Sequence, residues 1–171
     1  MASAVAVACF GSDQEVEHEV KTLARGAFDM TRVCVIGKDW VPQNEVAFLH
    51  TGRRARFFGT YGGLWTTLSG MLLGAALVCG APGEHIVILG SLASFMVPAL
   101  YGPTPLAAAL ASLGVPEGAA LAYEKAVAAQ KFLIIIQADA HYIQRARELL
   151  PHADFTTFYN PFTKEMPWKQ P

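Results

Sequence analysis

Sixty consecutive residues, Phe57–Pro116, carry one formal charge, Glu84, and this stretch limits what the chain can fold into more than any motif does. Exposed loops and helix faces of an ordinary domain need charge along their whole length. The flanks meet that need. Residues 1–56 hold seven acids and seven bases, and residues 117–171 hold six of each. The whole-chain figures of 53% hydrophobic and 16% charged residues are therefore an average over two ordinary flanks and an apolar insert. They exclude disorder, which needs low hydrophobicity. A net charge of −1 provides no basic field for nucleic acid. The 15 glycines follow no three-residue period, and three cysteines are too few for a disulfide scaffold.

The flanks read as two β-α-β units. Ala4–Phe10 is a short apolar run ended by Gly11-Ser12, and Ser12 with Glu15 forms a capping box. The helix that follows carries Val16, Val20, Leu23, Ala27 and Met30 on one stripe, and Arg32–Ile36 is the next strand, with a loop from Gly37. Beyond the insert, Pro116-Glu117 opens a helix with Leu121, Tyr123, Val127 and Ala128. Lys131–Ala138 is the most strand-like run, and its unbroken Phe132–Ile136 core predicts a central strand covered on both faces. Asp139 caps a helix with Ile143, Ala146, Leu149 and Leu150 inward, and Asp154–Tyr159 reads as an edge strand. The expected fold is an α+β, ferredoxin-like domain split between residues 1–56 and 115–160, with an irregular tail over 161–171.

The insert, residues 57–102, reads as a transmembrane hairpin of two hydrophobic helices. Phe57–Gly80 is 24 residues without a charge and Ile86–Gly102 is 17, around a turn at Ala81–His85. Arg53, Arg54 and Arg56 precede the first span, which predicts a cytoplasmic base, both termini cytoplasmic, and a bacterial inner-membrane location. The same bases, with His50 nearby, suit anionic lipid or topology control. Gly59 and Gly63, Gly70 and Gly74, and Gly90 and Ser94 are small residues four apart, a spacing that favours close helix packing and a homo-oligomer. Pro103–Gly114 is an apolar helix too short to cross, expected at the membrane surface or packed under the α/β domain.

With these features the chain resembles the general stress protein 17M-like domains of bacteria and related small membrane proteins. Ala4–Phe10, the capped helix Asp13–Met30, the Gly-rich Phe57–Gly102 and Gly114-Val115-Pro116 through Tyr123-Glu124 to Lys131–Gln137 carry the resemblance. It implies a membrane-associated, stress-linked protein and no assigned reaction.

Chemistry-bearing motifs are sparse. Glu15, Glu17, His18 and Glu19 lack a paired ligand helix and read as a solvated face; His141 and His152 read as surface residues. Cys9, Cys34 and Cys79 form no CxxC, lie in apolar runs and read as buried, inert thiols of a reducing compartment. Met1–Ala8 lacks the basic start of a secretory signal. No phosphate-binding glycine motif or nucleophile elbow is present, and no metal or cofactor is expected. The leading expectation is a non-enzymatic, self-assembling protein anchored in the lipid bilayer. The alternatives are a pore lined by Thr60, Thr66, Thr67 and Ser69, and a soluble interaction or ligand-sensing module whose hairpin is buried in an assembly.

Overall fold

A computed structural model describes residues 4–40, 62–72, 75–79, 84–90 and 105–159. Six strands and five helices are built from them. The first flank gives β1 (Ala4–Phe10), α1 (Asp13–Arg25) and β2 (Val33–Trp40). The insert gives α2 (Gly62–Ser69), β3 (Ala75–Cys79), β4 (Glu84–Gly90) and α3 (Pro105–Ser112). The second flank gives α4 (Glu117–Ala128), β5 (Phe132–Ala138), α5 (Ala140–Leu149) and β6 (Thr156–Tyr159). The strands form one sheet in the order β3-β4-β2-β5-β1-β6, with every neighbouring pair antiparallel.

Local sequence explains the flank elements. The Ser12 hydroxyl accepts from the Glu15 N–H at 3.2 Å and starts α1, as the capping box predicts. The helix ends at Arg25, earlier than the stripe to Met30 suggests, because Ala27 adopts a left-handed backbone (φ 56°) and the Phe28 N–H returns to the Leu23 carbonyl at 3.1 Å. Asp29 then caps a 3₁₀ turn at Met30–Arg32. The Asp139 carboxylate accepts from the Tyr142 N–H at 3.2 Å and starts α5. Strand β2 runs on to Trp40 where a loop from Gly37 is expected, because β4 pairs with it along its whole second half.

Side chains alternate across the sheet, so each strand feeds two cores. On one face Ala6, Val33, Val35, Val87, Leu89, Ile134 and Ile136 pack against α1, α2 and α5 through Val16, Val20, Leu23, Leu64, Trp65, Leu68 and Ile143. On the other, Val5, Val7, Ile36, Ile88, Leu133 and Ile135 lie under α3 and α4 through Leu106, Leu110, Ala120 and Val127. Continuous apolar runs such as Phe132–Ile136 are therefore buried in an antiparallel sheet whose two faces are both roofed.

The two-helix transmembrane hairpin needs correction. Residues expected in its first span form α2 and then β3, and those opening its second span form β4, paired with β2 from Cys34↔Gly90 to Trp40↔Glu84. The physical reason is that a short apolar run suits a doubly covered strand as well as a buried helix. The consecutive β-branched Ile86, Val87 and Ile88, bounded by Pro82-Gly83, favour the strand. No helix among the described residues is long and apolar enough to cross a membrane. The apolar helix expected over Pro103–Gly114 forms as α3, packed under the sheet, the second of its two expected positions.

Candidate functional site

The small residues expected to pack helices together sit in different settings. Gly63 lies in α2 with open space where a side chain would stand. Gly70 follows α2, and a Cβ there would touch the Thr67 carbonyl at an ordinary 3.5 Å. Gly90 ends β4 at φ +123°, where a Cβ would lie 2.4 Å from the Val33 carbonyl oxygen, so glycine is required for β4 to close on β2. Gly59, Gly74, Ser94, Arg53, Arg54, Arg56, His50 and Thr60 lie outside the described residues, as does the tail 161–171. On α1, Glu17 pairs with Lys21 at 3.3 Å in a solvated setting, and His141 and His152 are exposed. No metal-binding group of His, Cys, Asp or Glu side chains occurs among the described residues.

The structure assembles a different set of residues at one end of the sheet. Asp39, near the end of β2, is the one buried charged residue among those described, at 3% exposure. A buried carboxylate is costly unless hydrogen-bonded. One of its partners is Trp65 of α2, whose indole N–H donates to Asp39 Oδ2 at 2.9 Å. The indole reaches it over Gly37, two residues back on the same face. A Cβ at that glycine would lie 2.6 Å from Trp65 Cη2 and 2.6 Å from Phe132 Cδ1. Trp65 and Phe132 pack at 5.8 Å between ring centroids. Gly37 is thus the space into which the Trp65 and Phe132 rings close, with Trp65 reaching on to Asp39.

Register carries the row outward from that anchor. Asp39 stands opposite His85 on β4, and His85 stands opposite Cys79 on β3. Directly opposed residues of antiparallel strands share a face. Val87 and Leu89 belong to the face covered by α2, so the position two residues before Val87 belongs to it as well. A carboxylate, an imidazole and a thiol residue therefore occupy adjacent positions in one row across β2, β4 and β3. Sequence reading misses this row because its members are distant along the chain and each falls in a separate feature: a loop, a turn and a span. The signal that finds it is strand register.

The remaining cysteines differ from each other. Cys34 is buried on the opposite face, and burial pushes its thiol up to about 12. Cys9 is exposed, contrary to the expectation of burial. Partial desolvation still raises its thiol, with Lys131 opposing the rise.

At the far end of the sheet, β6 pairs with β1, its one neighbour among the described residues. Tyr123 of α4 packs edge-on against Phe158 at 6.4 Å, the Arg147 guanidinium donates to the Thr157 hydroxyl, and Tyr159 is exposed. Burial raises the Tyr123 phenol, while a hydrogen bond with Thr156 partly offsets it. No family model matches this chain, and neither a curated protein nor a solved structure does.

Proposed function

We infer that the chain is a non-enzymatic interaction module with a ferredoxin-like core, β1-α1-β2 and β5-α5-β6, which assembles with copies of itself through the β6 edge. The strand order β2-β5-β1-β6 supports that core, since each β-α-β unit places a strand of the other between its own two. In this reading the apolar insert serves the module's own core, as the burial of Leu64, Leu68, Val87, Ile88, Leu106 and Leu110 supports.

The observation that carries the assembly is the character of the edge. Natural edge strands are blunted by lysine, proline or inward charge. Residues 155–159, Phe-Thr-Thr-Phe-Tyr, carry none of these. A net charge of −1 also sets little repulsion between copies. Sedimentation of the full chain is expected to give a dimer or larger species, and Thr156→Lys with Tyr159→Lys is expected to return it to monomer with its circular dichroism intact. A monomeric native chain overturns the reading. Alkaline carbonate extraction tests the use of the insert: release into the supernatant is expected, and retention in the membrane pellet returns the insert to the bilayer.

A further inference from the structure

We propose that two copies join their β6 strands about a two-fold axis at Phe158, so that the Arg147 guanidinium of each copy lies against the partner's Tyr159 ring. The inference rests on the edge assembly proposed above, and it names the register and the residue pair by which one copy recognises another.

Residues directly opposed across an antiparallel pair share a face. The β1–β6 ladder obeys this: Val5 and Phe158 stand opposite each other, and both belong to the core under α4. Phe158 and Thr156 therefore lie on the α4 face. Thr157 and Tyr159 lie on the α5 face with the buried Phe155. When β6 pairs with its own copy, an axis perpendicular to the sheet keeps each face on its own side. Opposed residues then differ by an even number of positions, so the axis passes at a residue and never between two. For Thr156–Tyr159 this leaves two central registers. An axis at Thr157 pairs Thr156–Phe158 with itself, and an axis at Phe158 pairs Thr157–Tyr159 with itself.

Charge separates the two. Arg147 of α5 donates to the Thr157 hydroxyl, and no carboxylate pairs with it among the described residues. An axis at Thr157 opposes Thr157 to its own copy. Opposed side chains start ~4.5–5.5 Å apart, so the two guanidiniums held on those hydroxyls would meet as like charges across the seam. An axis at Phe158 instead opposes Thr157 to the partner's Tyr159. Each guanidinium then meets an aromatic ring, whose face attracts a cation. Arg147 has no such contact with Tyr159 of its own chain; the cation–π contact among the described residues is Arg32 over Tyr142 at 4.3 Å. Tyr159 is the large apolar side chain left exposed among the described residues, at 44%, and this register covers it. On the α4 face the same axis sets Phe158 against the partner's Phe158, a favourable cross-strand aromatic pair that Tyr123 already flanks edge-on at 6.4 Å.

The test is the dimer dissociation constant of the full chain, measured by sedimentation equilibrium in a double-mutant cycle of Arg147→Gln and Tyr159→Leu. The two symmetric contacts together amount to about a tenfold change in that constant. Each single variant is expected to weaken the dimer about tenfold, and Arg147→Gln is expected to add nothing in the Tyr159→Leu background. If Arg147 serves only its own Thr157, the factor is the same in both backgrounds, and the pairing is overturned. An axis at Thr157 gives the opposite sign, because Arg147→Gln then removes a repulsion and tightens the dimer. Where Arg147→Gln alters the circular dichroism spectrum, cysteine trapping with glutathione disulfide decides instead. Phe158→Cys is expected to link two copies at that position, as mapped by mass spectrometry; linkage by Thr157→Cys in its place, or by neither, overturns the register. A dimeric native chain with any of these overturning results leaves the edge assembly standing, whereas a monomeric native chain overturns both.

Discussion

The Trp65–Gly37–Asp39 contact joins a packing constraint to an electrostatic one, and the two are separable by substitution. Gly37→Ala places a methyl group 2.6 Å from each of two aromatic rings that are themselves buried. Overpacking of this kind costs about 1–3 kcal/mol. Trp65→Phe instead removes the N–H that Asp39 accepts, and losing a hydrogen bond to a buried charged group costs about 1.5–3 kcal/mol. The double variant is expected to cost less than the sum, because the phenyl ring does not reach the indole Cη2 position. A double-mutant cycle in urea measures that coupling, and strict additivity contradicts the shared contact. Cys34 supplies a pH prediction at the same scale. Its folded-state thiol is held to about 12, whereas an unfolded thiol ionises near ~8.5. Between those values the unfolded chain has lost a proton the folded chain keeps. Stability from this residue is therefore complete below ~8.5 and falls as pH rises, by up to about 1.4 kcal/mol per unit. Urea midpoints at about pH 7 and about pH 10 should diverge less in Cys34→Ala than in the native chain.

At the scale of elements, helix α3 shows how an apolar segment is positioned without charges of its own. The Glu124 carboxylate of α4 accepts from the Ala107 N–H at 2.8 Å, satisfying one of the free donors at the start of α3. Glu124→Ala is expected to cost about 1–2 kcal/mol. Hydrogen exchange should accelerate at the start of α3 and stay unchanged in α1; equal acceleration in both would mean that Glu124 does not act locally. The helices with caps written beside them were the legible part of this chain. Ser12 and Asp139 announce α1 and α5 within a few residues, and Phe132–Ile136 announces a buried strand. The helix expected over Pro103–Gly114 was also legible, and forms as α3, although the carboxylate that accepts from its first turn comes from another element. The insert's strands were not. A run such as Ile86–Leu89 has no internal period, and its pairing with β2 and β3 decides between helix and strand. The same dependence hid Asp39, His85 and Cys79, since strand pairing and not spacing brings them together.

For the whole molecule, the question is where sixty nearly uncharged residues find an apolar environment. A sheet with helices on one face leaves its other face open to water and alternates polar and apolar residues. This sheet has α3 and α4 on its second face, and two contiguous cores sandwich it. Much of the hydrophobicity that suggests a membrane is thereby used inside the fold, in α2, β4 and α3. An interior and a lipid surface give opposite expectations for one residue. Leu110 of α3 is fully buried with Ile36, Ile88 and Ile135 in the second-face core. In that setting Leu110→Ala removes a large buried side chain and costs about 2–5 kcal/mol in urea unfolding without detergent. If α3 instead lay on a lipid surface, the truncation would leave aqueous stability unchanged and weaken vesicle binding. A stability loss within that range, together with unchanged flotation on anionic vesicles, is the expected result. It would place α3 in the protein's own interior.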